Sequence, residues 1–239
     1  MTFDMRRRAA AEAAGALVLS AVVIGSGVMG ERLAGGNDAI ALLANTLATA
    51  AILFVLIAAL APVSGAHFNP AVTLVALLRR QLKRGDALIY VIAQLAGCAA
   101  GAVLAHALFE LPLLQVGGVE RSGLAQMASE SAATFALVGC ILLTSHARPQ
   151  ATASAVALTI AAGYWWTSST SFANPAITLA RALSDTFAGI RMADVAGFVV
   201  AQLIGAGAAL AAFNWLYRAR ADQAVSTAAA ARSVSRSGG

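Results

Sequence analysis

Six mostly apolar runs occupy 9–29, 40–61, 87–108, 124–145, 150–168 and 195–217. Each has about the 20 residues that a helix needs to cross a bilayer. Two further apolar stretches, 69–78 and 174–183, hold ten residues each and open on Asn-Pro-Ala. Ten helical residues reach about 15 Å, half the hydrocarbon thickness. With 59% hydrophobic and 11% charged residues, against about 25% charged in an average soluble domain, the chain cannot cover these runs with polar surface. A bilayer is the solvent that fits. The pattern predicts an all-α membrane protein with six transmembrane helices and two re-entrant half-helices.

The two halves repeat. Residues 68–74 read FNPAVTL and 173–179 read ANPAITL, identical at five of seven positions. Residues 86–109 and 194–217 align without gaps through Asp86/Asp194, Gln94/Gln202 and Gly97/Gly205, and Glu12 pairs with Glu130. Three crossings per half is an odd number, so the second half is inverted, a plan that places a site near the membrane midplane. The expected organisation is an N-terminus at 1–8, a first repeat at 9–110, a loop at 111–123, a second repeat at 124–217 and a disordered tail at 218–239. Gly97-xxx-Gly101 and Gly205-xxx-Ala209 have the spacing of close helix packing.

Six crossings put both termini on one side with twelve of the sixteen Lys and Arg residues. Basic loops stay inside, so both termini are expected in the cytoplasm, in a bacterial inner membrane. The net charge of +5 sits between apolar runs as anchors do, which excludes a nucleic-acid groove. Arg6, Arg7 and Arg8 resemble a signal-peptide start. The run that follows is too long and holds Glu12, so it is expected to remain as the first helix. Cys98 and Cys140 lie in apolar runs with no metal-binding or disulfide spacing. No cofactor or metal is indicated, and no nucleophile–base pair points to an enzyme. Tyr164, Trp165 and Trp166 read as an interfacial belt.

Asn is a good helix N-cap, and Pro suits the first helical position because it has no N–H to leave unpaired. Asn69-Pro70-Ala71 and Asn174-Pro175-Ala176 therefore each start a half-helix. Inversion brings the two N-termini together. Each carries about half a positive charge from its helix dipole, which repels cations. The Asn amides offer donors to a passing oxygen, so neutral molecules pass while ions and a proton wire are refused.

SGAHFNPAVTL (64–74), the second Asn-Pro-Ala, Glu12, Glu130 and IAQLAGCAAG (92–101) resemble the major intrinsic proteins, the aquaporins and aquaglyceroporins, over about 9–217. The resemblance implies one pore per subunit, a homotetramer in membrane lipid, and Glu12 and Glu130 holding the re-entrant loops by accepting backbone hydrogen bonds. It also makes His67 a structural hydrogen-bonding residue near the cytoplasmic mouth. Most members place Arg directly after the second motif; here Ile177 stands there. Family spacing puts the other constriction residues at Thr49, Ala162 and Ser171. That ring has no aromatic residue and no cation. It implies a wide outer constriction that passes small neutral solutes: glycerol, metalloid hydroxides such as arsenous acid, methylated arsenicals and water. An aliphatic residue after the second motif resembles the bacterial branch linked to arsenic resistance. Arg181, one turn beyond Ile177, can serve the outer vestibule or anchor at the surface. The rival readings are a broken-helix secondary transporter, which needs midplane ion ligands, a water-selective aquaporin, and an adhesive member with a blocked pore.

Overall fold

The structure, a computed structural model, describes the backbone of residues 3–237 and the side chains of 3–217. The tail expected at 218–239 lies outside the residues described in full. Eight α-helices follow one another: α1 (Met5–Leu33), α2 (Asp38–Ser64), α3 (Pro70–Leu78), α4 (Arg84–Leu108), α5 (Leu124–Ala147), α6 (Thr152–Trp166), α7 (Pro175–Ala182) and α8 (Met192–Ser237). Five are long and apolar enough to cross a membrane: α1, α2, α4, α5 and α8. The crossing expected at 150–168, fifth of the six, is shorter. It consists of the 3₁₀ turn Pro149–Ala151 and the 15-residue α6. The Thr167 hydroxyl bonds the Gly163 carbonyl at 2.7 Å as the chain turns back into the protein.

Side chains set the helix ends. Asp4 accepts from the Arg7 amide and opens α1 before the apolar run begins. Asn37 caps α2, and Gly65 closes it in the left-handed region at φ 91°. Asn69 and Asn174 cap α3 and α7, with Pro70 and Pro175 in the first turn.

The outer surface is apolar. Leu47, Ile92, Leu158, Ile204 and Trp215 are each more than half exposed, as lipid-facing residues are in a bundle whose solvent is hydrocarbon. Inside, α1 packs against α4 and α5 against α8 through glycine. A Cβ at Gly97 would strike the Ala13 carbonyl, one at Gly101 the Leu17 carbonyl and one at Gly205 the Ser131 carbonyl. α3 runs from the centre of the bundle towards the face that carries the N-terminus, the terminal face. α7 runs from the centre towards the opposite, far face.

Candidate pore

Buried carboxylates fix the two re-entrant loops. Glu12, fully buried, accepts from the Ser64 hydroxyl (2.6 Å), the amides of His67 (3.0 Å) and Phe68 (2.7 Å), and Gln94 Nε2 (2.8 Å). Glu130, equally buried, accepts from the amides of Phe172 and Ala173, both at 2.9 Å, and from Gln202 Nε2 at 2.6 Å. The same two glutamines donate at 2.9 Å to the Thr73 and Thr178 hydroxyls. Those hydroxyls donate back to the Asn69 and Asn174 carbonyls. The carboxylates hold unusual backbone in place. Ala66, Phe68, Thr170, Ser171 and Ala173 all have φ between 48° and 61°, a region that L-residues avoid.

Between the loops the half-helices meet end to end. The Asn69 amide donates to the Ala173 carbonyl at 2.7 Å, and the Asn174 amide donates to the Phe68 carbonyl at 2.8 Å. Each Asn Oδ1 accepts from its own helix: Ala71 N for Asn69, Ala176 N and Ile177 N for Asn174. One N–H of each amide is thus committed across the junction, and one of the two remains. His67 Nδ1 lies 3.1 Å from the Thr73 hydroxyl, and its ring packs edge-on against Tyr90.

A cavity passes this junction. Its apolar walls are helical stripes at i, i+4 and i+8: Leu19 and Val23 on α1, Thr49, Leu53 and Ile57 on α2, Leu137 and Ile141 on α5, and Val156, Ile160 and Tyr164 on α6. A polar line of His67, Asn69, Asn174, Ser171 and Arg181 runs along one side. The cavity has about 70 Å³, room for a short file of waters at roughly 10–15 Å³ each. Towards the terminal face it joins a vestibule of about 570 Å³, reached through Ile57, Ala66, His67, Val72, Ile141 and Val156. Its other half lies towards the far face.

Thr49, Ser171 and Ile177 line that half, each 4% exposed. Ala162 does not: it is exposed on the outer side of α6. The wall position belongs to Tyr164, two residues on, whose hydroxyl donates to Thr49 Oγ1 at 3.2 Å. Two residues along a helix turn a side chain through about 200°, so a count off by two picks the opposite face. Tyr164 consequently leaves the expected interfacial belt, while Trp165 and Trp166 stay about half exposed. On this wall an aromatic residue, Tyr164, stands where the expected ring had none. Arg181, 3% exposed, also lines the cavity. Its Nε donates to the Ala188 carbonyl, and its guanidinium lies 3.3 Å from the centre of the Phe172 ring. The cue for Tyr164 was available in its period-4 spacing with Val156 and Ile160.

The family model described as Major intrinsic protein matches residues 1–163. Over 214 residues the chain is 52% identical to aquaglyceroporin AqpS of Rhizobium meliloti (strain 1021), covering 90% of this chain and 91% of that protein. The chain belongs to the major intrinsic protein family. It is also 35% identical over 106 residues to probable aquaporin PIP2-8 of Oryza sativa subsp. japonica, covering 44% of this chain and 38% of that protein. Among solved structures, the family fold recurs in the aquaglyceroporin from Plasmodium falciparum, with a TM-score of 0.68 at 17% identity over 90% of this chain and 96% of that one. The protein is accordingly an integral membrane protein with the aquaporin fold.

Proposed function

We propose that the chain is a passive channel for small uncharged solutes, glycerol-like polyols and metalloid hydroxides such as arsenous acid among them. The observation that carries this reading is the cavity between the half-helices, lined by two Asn amides that each have one donor left over. A solute oxygen held there by two N–H groups points its own hydrogens away from the junction. That breaks a proton wire, and the two helix N-termini repel cations. The walls suit an amphipathic solute. Carbon edges meet Tyr164, Ile177 and Leu53, while hydroxyl edges meet the line of Ser171, Asn174 and Asn69. The 52% identical relative carries the name aquaglyceroporin, which favours solutes larger than water. The outer half, with Tyr164 against Thr49, favours a smaller cargo than an all-aliphatic ring would. Thr49, Tyr164, Ser171 and Ile177 are proposed as the constriction.

In this reading the terminal face is cytoplasmic, the membrane is a bacterial inner membrane, and the channel is a homotetramer with one pore per subunit. Stopped-flow light scattering on proteoliposomes tests the pore, with water, glycerol and arsenous acid gradients. Ile177→Arg is expected to slow glycerol and arsenous acid more than water, and Tyr164→Ala to do the reverse. Unchanged ratios in both variants would remove these side chains from the constriction. Saturable flux that follows an ion gradient would replace the channel with a secondary transporter.

A further inference from the structure

Two arginines clasp one aromatic ring at the far end of the cavity. The Arg181 guanidinium stacks on Phe172 at 3.3 Å, and that of Arg121 lies 5.1 Å from the centre of the same ring. Consecutive carbonyls of one loop hold the two side chains: Ala188 accepts from Arg181 Nε, and Gly189 accepts from Arg121 Nε at 2.9 Å. Phe172 in turn packs edge-on against Phe198, and its amide is fixed by Glu130.

The loops are laced so that both guanidiniums arrive there. Gly117 N bonds the Ala182 carbonyl at the end of α7 (2.8 Å), and Arg191 N bonds the Val119 carbonyl (2.7 Å). Asp194 accepts the Arg121 amide at 2.9 Å, and Asp185 accepts the Gly118 amide at 3.0 Å. Arg121 lies in the loop 111–123 and Arg181 on α7, so no stretch of sequence places them together.

Neither charge is neutralised. The salt bridges among the described residues involve Arg7, Arg8 and Arg191 as the basic partners, and neither Arg121 nor Arg181 takes part in one. The carboxylate whose charge acts on both, Glu130, is already bonded by Phe172 N, Ala173 N and Gln202 Nε2, and Asp194 is engaged by Arg191 and by the Arg121 backbone. Among the described residues Arg181 donates only through Nε, so four of its five N–H donors find no acceptor there. The side chain is nonetheless buried and lines the cavity, which leaves the water and solute in that cavity as their partners. An unpaired buried cation is expensive, and one aimed into a pore acts on whatever enters.

We propose that Arg181, backed by Arg121 through Phe172, is the outer cation barrier and solute-orienting donor of this pore. The inference rests on the channel reading. It relieves the Asn69–Asn174 junction of sole responsibility for excluding cations. Arg181 follows Ile177 by one turn of α7 towards the far face, so a cation from that side meets its charge at the outer part of the cavity. An oxygen-bearing neutral solute is offered several donors at the same point. The stack on Phe172 fixes the plane of the fork without using those donors.

The test is performed on the full chain in proteoliposomes. Water and glycerol fluxes are measured by light scattering, and proton and potassium leak by an internal pH dye under an imposed gradient. Arg181→Met is expected to shift the glycerol-to-water flux ratio and to raise the cation leak by roughly tenfold or more, the scale of losing a unit charge about 6 Å away in a partly screened site. Arg181→Lys keeps the charge but loses the stack and the Nε bond to Ala188. It is expected to leak like the native protein. A purely structural Arg181 would make the Lys and Met variants leak alike, which overturns the proposal. Arg121→Met is expected to raise the leak by a smaller factor and supplies the answer if Arg181→Met fails to fold. A leak unchanged in Arg121→Met and Arg181→Met, with solute flux intact, sinks the barrier and leaves the channel. Absence of any solute flux from the native protein sinks both.

Discussion

Replacing Glu130 should unfasten the second half-helix, and the cost follows from its bonding. The carboxylate accepts from three buried donors: Phe172 N, Ala173 N and Gln202 Nε2. Inside a bilayer these donors cannot turn to water. An orphaned buried donor costs about 1–3 kcal/mol. Glu130→Ala orphans all three, so the loss is about 3 kcal/mol at the least and the variant need not assemble. Glu130→Gln is the sharper experiment. It keeps one acceptor oxygen and aims its own NH₂ at a donor, for a loss of about 1–3 kcal/mol. At about 2–4 °C per kcal/mol for a chain of this size, the unfolding midpoint in detergent should fall by several degrees. Glu31→Gln, at an exposed site, is the control and should not move. A cycle with Gln202→Leu should show coupling of about 0.5–3 kcal/mol, as side chains in one network do. Solute flux should fall along with the midpoint, because Ser171 and Ala173 lose what pins their left-handed backbone. If Glu130→Gln unfolds with the native protein and Gln202→Leu adds independently, the carboxylate does not support the loop and the reasoning fails.

Gly97→Leu should lower the midpoint, since even its Cβ would strike the Ala13 carbonyl and overpacking costs about 1–3 kcal/mol. Gly85→Ala, with open space around it, is the comparison, and equal stability of the two variants would refute the close α1–α4 packing. Asn174→Asp replaces the donor to the Phe68 carbonyl with an acceptor and adds negative charge at the junction. Its expected outcome is a proton or cation leak with water flux retained, read by the same pH-dye assay; a variant as tight as the native protein would mean that the donors there do not contribute to exclusion.

Much of this protein was determined by local chemistry, and that part is legible in the sequence. Runs of about 20 apolar residues become spanning helices because nothing else satisfies the backbone in hydrocarbon. Asn before Pro at the head of an apolar run favours a helix start, which locates α3 and α7. Glu12 and Glu130 stand out because a carboxylate within a span needs donors. The repeat in FNPAVTL and ANPAITL foretells the pairing of the halves. The length of the fifth crossing was less clear, since where α6 stops depends on Thr167 turning back to the Gly163 carbonyl.

What only the tertiary structure decided is direction. Counting back from Asn174 selected Ala162, but a helix rotates about 100° per residue, and the path of residues 167–173 sets the phase that puts Tyr164 on the wall. The two guanidiniums on Phe172 come from Arg121 and Arg181, sixty residues apart, joined by loops whose hydrogen bonds no spacing encodes. Sequence determined that a pore-shaped bundle would form around two capped half-helices. Tertiary packing decided which side chains face its lumen, because that depends on helix phase and loop closure rather than on residue type.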